Sequence, residues 1–249
     1  MTVAVVLSLP ALPVPAAADL PGTLQGVGRI VALGDSITEA GGEAGGYVWL
    51  LERYLSALDP TRRIEVVNAG VGGHKSTDMA ARFTRDVLDR KPDLVTISVG
   101  INDVWHAFRD FQAGRNHPAG NLPAGVPLPV YRTKLQTMIE AARAAGIRVV
   151  LVSPTVIYED LDGPENARLL TYVRAIRNLA RRYGVTFVDV NTPFRQVIRA
   201  YQQRGGRGAN LLTTDGVHLN AAGNRLLAAT LLRGLGVSDA DLSRTRIAP

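Results

Sequence analysis

The chain contains no cysteine among its 249 residues. Disulfide scaffolds, thiolate zinc sites, iron–sulfur clusters and cysteine nucleophiles are therefore excluded together. Histidine occurs four times and aromatic residues make up 6%, so aromatic-interleaved basic motifs of the kind that bind single-stranded nucleic acid have little to draw on. No hydrophobic run reaches the ~20 residues of a membrane-spanning helix. The opening apolar stretch, Thr2 to Ala18, is interrupted by Pro10, Pro13 and Pro15. It carries no charge and ends in Pro15-Ala16-Ala17-Ala18, the apolar region and small-residue cleavage site of a secretory signal. It has no basic start. Residues 1–20 are read as a signal peptide or an unstructured leader; the first reading sends the protein to the periplasm or the exterior, the second leaves it in the cytoplasm. No stable membrane insertion is expected.

What is present is an ordinary globular balance, 46% hydrophobic and 20% charged. Lys plus Arg exceeds Asp plus Glu, 28 − 22 = +6, which suits an anionic surface without identifying one. After Pro21, short β-branched runs alternate with helical patterns, the signature of βαβ units and a parallel sheet. Strands are predicted at Arg29–Leu33, Ile64–Asn68, Leu94–Val99, Arg148–Ser153 and Thr186–Val190. Their nearly continuous Val, Ile and Leu content fits strands covered on both faces. Helices are predicted at Gly46–Leu58, Ser76–Arg90, Val130–Ala145, Pro164–Tyr183, Pro193–Arg204 and Asn220–Leu235. One α/β domain over 21–249 accounts for the pattern. Residues His106–Pro129, rich in Gly and Pro, read as a long loop, and such loops in compact domains are often functional.

The first predicted strand ends in Gly34-Asp35-Ser36-Ile37-Thr38. A serine hydroxyl there sits at the carboxyl end of a strand, where open α/β sheets bind their ligands, and the N–H groups after the turn are free to face negative charge. Taken alone, the segment reads first as a plain helix cap by Ser36 or Thr38. Near the other terminus, Asp215 and His218 are three residues apart in Thr214-Asp215-Gly216-Val217-His218. In a helical turn this spacing brings the two side chains together. A carboxylate on one imidazole nitrogen fixes the tautomer that leaves the other nitrogen free to accept a serine proton. After the third strand comes Gly100-Ile101-Asn102-Asp103. With strand order 2-1-3-4-5, strands one and three are neighbours and Asn102 faces Ser36 across the crevice. A side-chain amide there is the kind of donor whose removal from an oxyanion hole costs about 3–4 kcal/mol of barrier; Asn also forms turns. The glycine-rich turn Asn68–His74 offers free backbone N–H groups.

Gly34-Asp35-Ser36, the turn ending in Gly73, Gly100-Ile101-Asn102-Asp103 and Asp215-Gly216-Val217-His218 resemble, in order and spacing, the four motif blocks of the SGNH/GDSL hydrolase family. The resemblance covers nearly all of the chain after the leader. It implies a flavodoxin-like three-layer α/β/α sandwich with a five-stranded parallel sheet, and ester hydrolysis with neither cofactor nor metal. It further implies Ser36 as nucleophile, His218 as base and Asp215 as its orienter, with an oxyanion hole from the N–H groups of Ser36 and Gly73 and the side chain of Asn102. Gly72 competes with Gly73 for that place. His74-Lys75 departs from the Asp that many members carry after the second-block glycine. Asp35, Asp103, Trp105 and His106 are candidates to border the substrate cleft, Asp35 and Asp103 chiefly as supports of their turns.

The expected reaction is cleavage of short-chain esters, acetyl above all, through an acyl-enzyme. The expected partner is a small-molecule or glycan ester, and no nucleic acid. Other readings are a lysophospholipase or thioesterase-type acyl hydrolase, a metal-dependent phosphoesterase using Asp35, Asn102, Asp103, Asp215 and His218 as hard ligands, and a silent polyanion-binding module.

Overall fold

The computed structural model describes residues 21–206 and 210–245; the expected leader lies outside these residues. The strands are β1 (Arg29–Gly34), β2 (Glu65–Gly70), β3 (Leu94–Ser98), the two-residue β4 (Arg109–Asp110) and β5 (Arg115–Asn116), β6 (Arg148–Val152) and β7 (Thr186–Val188). Five of them form one parallel sheet in the order β2-β1-β3-β6-β7, which is the expected 2-1-3-4-5 once the small β4–β5 hairpin is set aside. The residues of central β1, β3 and β6 are almost all buried, whereas β2 and β7 at the edges are largely half-buried. That gradient explains why the central segments are the most aliphatic.

The helices are α1 (Ser36–Ala40), α2 (Tyr47–Leu58), α3 (Ser76–Ala81), α4 (Phe83–Asp86), α5 (Ile101–Phe108), α6 (Leu128–Ala144), α7 (Pro164–Tyr183), α8 (Asn191–Gln203), α9 (Ala221–Gly234) and α10 (Asp239–Arg244). Helix α2 packs on α9, while α3, α6 and α7 lie side by side, giving the two helical layers of the sandwich. The cores of both layers are aliphatic: Leu51, Leu55 and Leu231 in one, Leu135, Ile139 and Ile176 in the other, all essentially inaccessible.

Five predicted elements are corrected. The helix expected over Ser76–Arg90 is broken into α3, α4 and a 3₁₀ turn at Leu88–Arg90. At the break, Arg82 leaves helical geometry (φ −101°, ψ 4°) and sends a buried guanidinium inward. Strand β2 runs on to Gly70 because its register with β1 holds through Gly34↔Gly70. Strand β7 stops at Val188, since Ser153 Oγ then accepts the N–H groups of Val190 and Asn191, both at 3.0 Å, and α8 begins two residues before Pro193. The expected loop His106–Pro129 contains the end of α5, the β4–β5 hairpin and the start of α6.

Candidate active site

Strands β1 and β3 are paired, so the chain leaves both at the same edge of the sheet, into α1 and α5. Asp35 caps α1: its Oδ1 accepts the Ile37 N–H at 3.0 Å. The capping role open to Ser36 and Thr38 is thus taken by Asp35, and Thr38 instead shares a hydrogen bond of 2.7 Å with the Tyr47 hydroxyl. The Ser36 hydroxyl is left for the His218 ring, with Oγ 2.9 Å from Nε2. His218 Nδ1 lies 2.7 Å from Asp215 Oδ2. Asp215 Oδ1 accepts the N–H groups of Val217 (2.9 Å) and His218 (2.8 Å).

The segment carrying Asp215 and His218 is not the helical turn expected from their spacing. It is a loop closed by a bridge between Thr213 and Leu219 and by Thr214 N–H donating to His218 O at 2.8 Å. Gly216 turns it at φ +96°, where a Cβ would meet the Tyr158 ring at 2.6 Å, so both conformation and space require glycine. The Asp215 and His218 side chains are 49% and 38% exposed, and the site is open to solvent. Burial pushes the Asp215 carboxyl up, but hydrogen bonds from His218 and the loop backbone outweigh it and hold the group below the usual carboxylate range.

The loop's position rests on Glu159, which the sequence reading did not single out. Its buried carboxylate accepts four hydrogen bonds: Leu211 N–H (2.7 Å) at Oε2, and Leu212 N–H (2.8 Å), Thr213 N–H (3.0 Å) and Thr213 Oγ1 (2.9 Å) at Oε1. Arg82 also went unremarked, because one Arg in a helical stretch carries no signal. It donates to Gly34 O (2.8 Å), Ala69 O (2.9 Å), Asp86 (2.7 Å) and His74 Nδ1 (3.0 Å). One guanidinium therefore joins the ends of β1 and β2, behind Ser36 and the glycine turn. Hydrogen bonds from Arg85 and Arg82 hold Asp86 down at about 2 despite its burial, so it stays charged beneath Arg82.

Asn102 is buried at the start of α5 and donates one Nδ2 hydrogen to His74 O at 3.0 Å. Of the two candidate glycines, Gly73 is at φ +74° with open space on its Cβ side, whereas a Cβ on Gly72 would lie 3.9 Å from Ser36 Cβ. Asp35 and Asp103 do not border the cleft. They are 4% and 1% exposed, and Asp103 accepts the N–H (3.2 and 3.1 Å to its two oxygens) and hydroxyl of Ser76. Both turn inward to tie down local backbone. Burial raises Asp35 to about 6 and Asp103 to about 7. Trp105 does reach the site, its ring 6.4 Å from that of His218. His106 packs on Phe111 rather than on His218. Among the described residues, no three His, Asp or Glu side chains converge as a metal-ligand set, and no helix is long and apolar enough to cross a membrane.

Comparison with known proteins agrees with this arrangement. The sequence model of the GDSL-like lipase/acylhydrolase family matches residues 32–226. An acetylxylan esterase of Geobacillus stearothermophilus is 29% identical over 219 residues, 84% of this chain and 94% of that protein. An isoamyl acetate-hydrolyzing esterase of Saccharomyces cerevisiae is 25% identical over 187 residues, 70% of this chain and 69% of that protein. The crystal structure of an acetyl xylan esterase superposes with a TM-score of 0.70 at 30% identity, over 82% of this chain and 98% of the other. With these matches and the Ser-His-Asp arrangement at the sheet edge, the chain belongs to the GDSL-like lipase/acylhydrolase family and is a carboxylic ester hydrolase of the SGNH type.

Proposed function

We propose that this hydrolase removes short acyl groups, acetyl foremost, from carbohydrate esters by way of an acyl-enzyme on Ser36. The observation that carries the proposal is the unbroken hydrogen-bonded chain from Ser36 Oγ through His218 to Asp215. Ser36 Oγ bonds to the ester carbonyl carbon while His218 Nε2 takes its proton, and the carbonyl oxygen becomes an oxyanion. That oxygen faces donors from the Ser36 and Gly73 N–H groups and the second Nδ2 hydrogen of Asn102. The bond to the alcohol oxygen then breaks, and the alcohol leaves with the proton from His218. Water, deprotonated by His218, attacks the acyl carbon, the bond to Ser36 Oγ breaks, and carboxylic acid and free serine result. Asp215 remains ionised throughout, stabilising the imidazolium. The solvent-exposed, loop-built site favours small acyl groups.

The glycan-acetate assignment draws support from the similarity to proteins named acetylxylan esterase and isoamyl acetate-hydrolyzing esterase. Solved structures of the Geobacillus stearothermophilus enzyme include catalytic mutants in which an aspartate, a serine and a histidine are each replaced by alanine. An uncharged leader over Thr2–Ala18 fits an exported enzyme. Replacement of Ser36 by Ala is expected to abolish p-nitrophenyl acetate hydrolysis and fluorophosphonate labelling while circular dichroism is unchanged. Retained turnover overturns the mechanism. A panel of acetyl, butyryl and octanoyl esters with acetylated xylan then reads the substrate class: preference for octanoyl esters over the glycan selects a lysophospholipase or thioesterase-type activity instead.

A further inference from the structure

Three large hydrophobic side chains are exposed among the described residues, and Phe111, at 50%, is the aromatic one. It stands on the hairpin between β4 and β5, and the hairpin is built to hold it. Asp110 Oδ1 accepts the N–H groups of Gln112 (3.0 Å) and Ala113 (2.9 Å), and Arg109 donates to Asn116 Oδ1 at 2.8 Å across the strand pair. The Phe111 ring meets Trp105 edge to face at 4.8 Å and His106 at the same centroid distance. Trp105 is fixed in turn by donating Nε1–H to the Tyr158 hydroxyl at 2.9 Å, and its ring lies 6.4 Å from that of His218. A continuous aromatic surface therefore runs from the catalytic imidazole to solvent. One exposed ring is unremarkable by itself, but a ring joined through a half-buried Trp to the imidazole is an apolar wall that a ligand entering the site can cover.

The direction of the reaction says which half of the ester this surface meets. The leaving alcohol receives its proton from His218 Nε2, so it departs on the imidazole side of the tetrahedral carbon, whereas the oxyanion points away toward Asn102. Trp105 and Phe111 extend the imidazole side. On the reading that Ser36 and His218 perform acyl transfer, we propose that Phe111, backed by Trp105 and His106, is the subsite for the alcohol half of the substrate, and that its occupant is the C–H face of a pyranose ring.

The test holds the acyl group constant and varies the alcohol. In Phe111→Ala, the ratio of kcat/KM for an acetylated xylooligosaccharide to that for ethyl acetate is expected to fall about tenfold, through KM, as for loss of one stacked aromatic contact. The acetyl-to-butyryl preference measured on p-nitrophenyl esters is expected to keep its value. An unchanged alcohol ratio, or a shifted acyl preference, overturns the assignment. Phe111→Tyr is expected to restore the ratio. Wild-type hydrolysis of ethyl acetate without hydrolysis of the glycan acetate overturns the pyranose subsite but leaves the serine mechanism intact. Failure of the wild type on every ester, with Ser36 unlabelled by a fluorophosphonate, overturns the mechanism itself. Because the ring is half exposed, an unchanged thermal midpoint is expected and separates a binding loss from misfolding.

Discussion

Asn102 has two amide hydrogens, and the structure uses one of them on His74 O at 3.0 Å. That bond sets the plane of the amide, and in the proposed mechanism the second hydrogen meets the oxyanion formed at Ser36. Asn102→Ala is expected to lower kcat by about 10²–10³, or about 3–4 kcal/mol of barrier, with KM changed far less. Steady-state kinetics on p-nitrophenyl acetate check this, and a raised KM with kcat unchanged argues for a binding role instead. At this scale the candidate residues were legible because each stands at a position that chain topology makes special: a serine after one strand, an asparagine after its neighbour, an aspartate three before one of only four histidines. Arg82 and Glu159 were not legible. Their importance lies in the backbone atoms they bind, Gly34 O and Ala69 O for one and the Leu211–Thr213 N–H groups for the other, and no residue pattern announces a long-range bond to backbone.

Elements were recovered where a hydrophobic period was long and lost where a side chain overrode it. Helices α2, α6 and α7 carry such periods; between α3 and α4 the apolar pattern gives no sign of the break, which falls at Arg82, where the residue leaves helical geometry to send its guanidinium inward. The Asp215–His218 loop shows the same override. Spacing alone predicts a helical turn, but Gly216 at positive φ and the Glu159 carboxylate beneath Leu211–Thr213 impose a loop. Glu159→Gln places an amide donor against N–H groups that need acceptors. Leaving such a buried group unsatisfied costs about 1–3 kcal/mol, so a lower urea midpoint is expected. A lower kcat is expected as well, measured far below the unfolding temperature, with KM nearly constant, because the loop carries His218 and Asp215 but little of the substrate surface. Loss of stability with kcat intact would show that Glu159 supports the fold and not the loop's catalytic position.

Across the whole molecule, the order β2-β1-β3-β6-β7 makes β1 and β3 neighbours, so that the segments carrying Ser36 and Asn102 leave the sheet at the same edge; the alternation of short β-branched runs with helices announced a parallel sheet, and the order itself came from the family resemblance. Two carboxyls lie out of water behind the crevice, Asp35 at the cap of α1 and Asp103 in the first turn of α5 against Ser76, raised by burial to about 6 and about 7 from 3.8. Their sign in the stability curve is opposite to that of Asp86 and Asp215, which are held low by their partners. Below the unfolded value both states bind the proton and Asp103 contributes nothing. Between about pH 4 and pH 7 the unfolded chain has lost a proton that the folded chain keeps, so stability falls as pH rises, at up to about 1.4 kcal/mol per pH unit for each such group. Above pH 7 the penalty is constant. Asp86 and Asp215 act at lower pH, where acidification destabilises the fold, so the maximum lies on the acidic side of neutrality. Thermal midpoints recorded from pH 3 to pH 9 are expected to show that maximum. Asp103→Asn cannot ionise and still offers Ser76 an acceptor, so its curve should be flatter than wild type between pH 4 and pH 7; parallel curves would mean that Asp103 is ionised throughout, stabilised by its hydrogen bonds from Ser76.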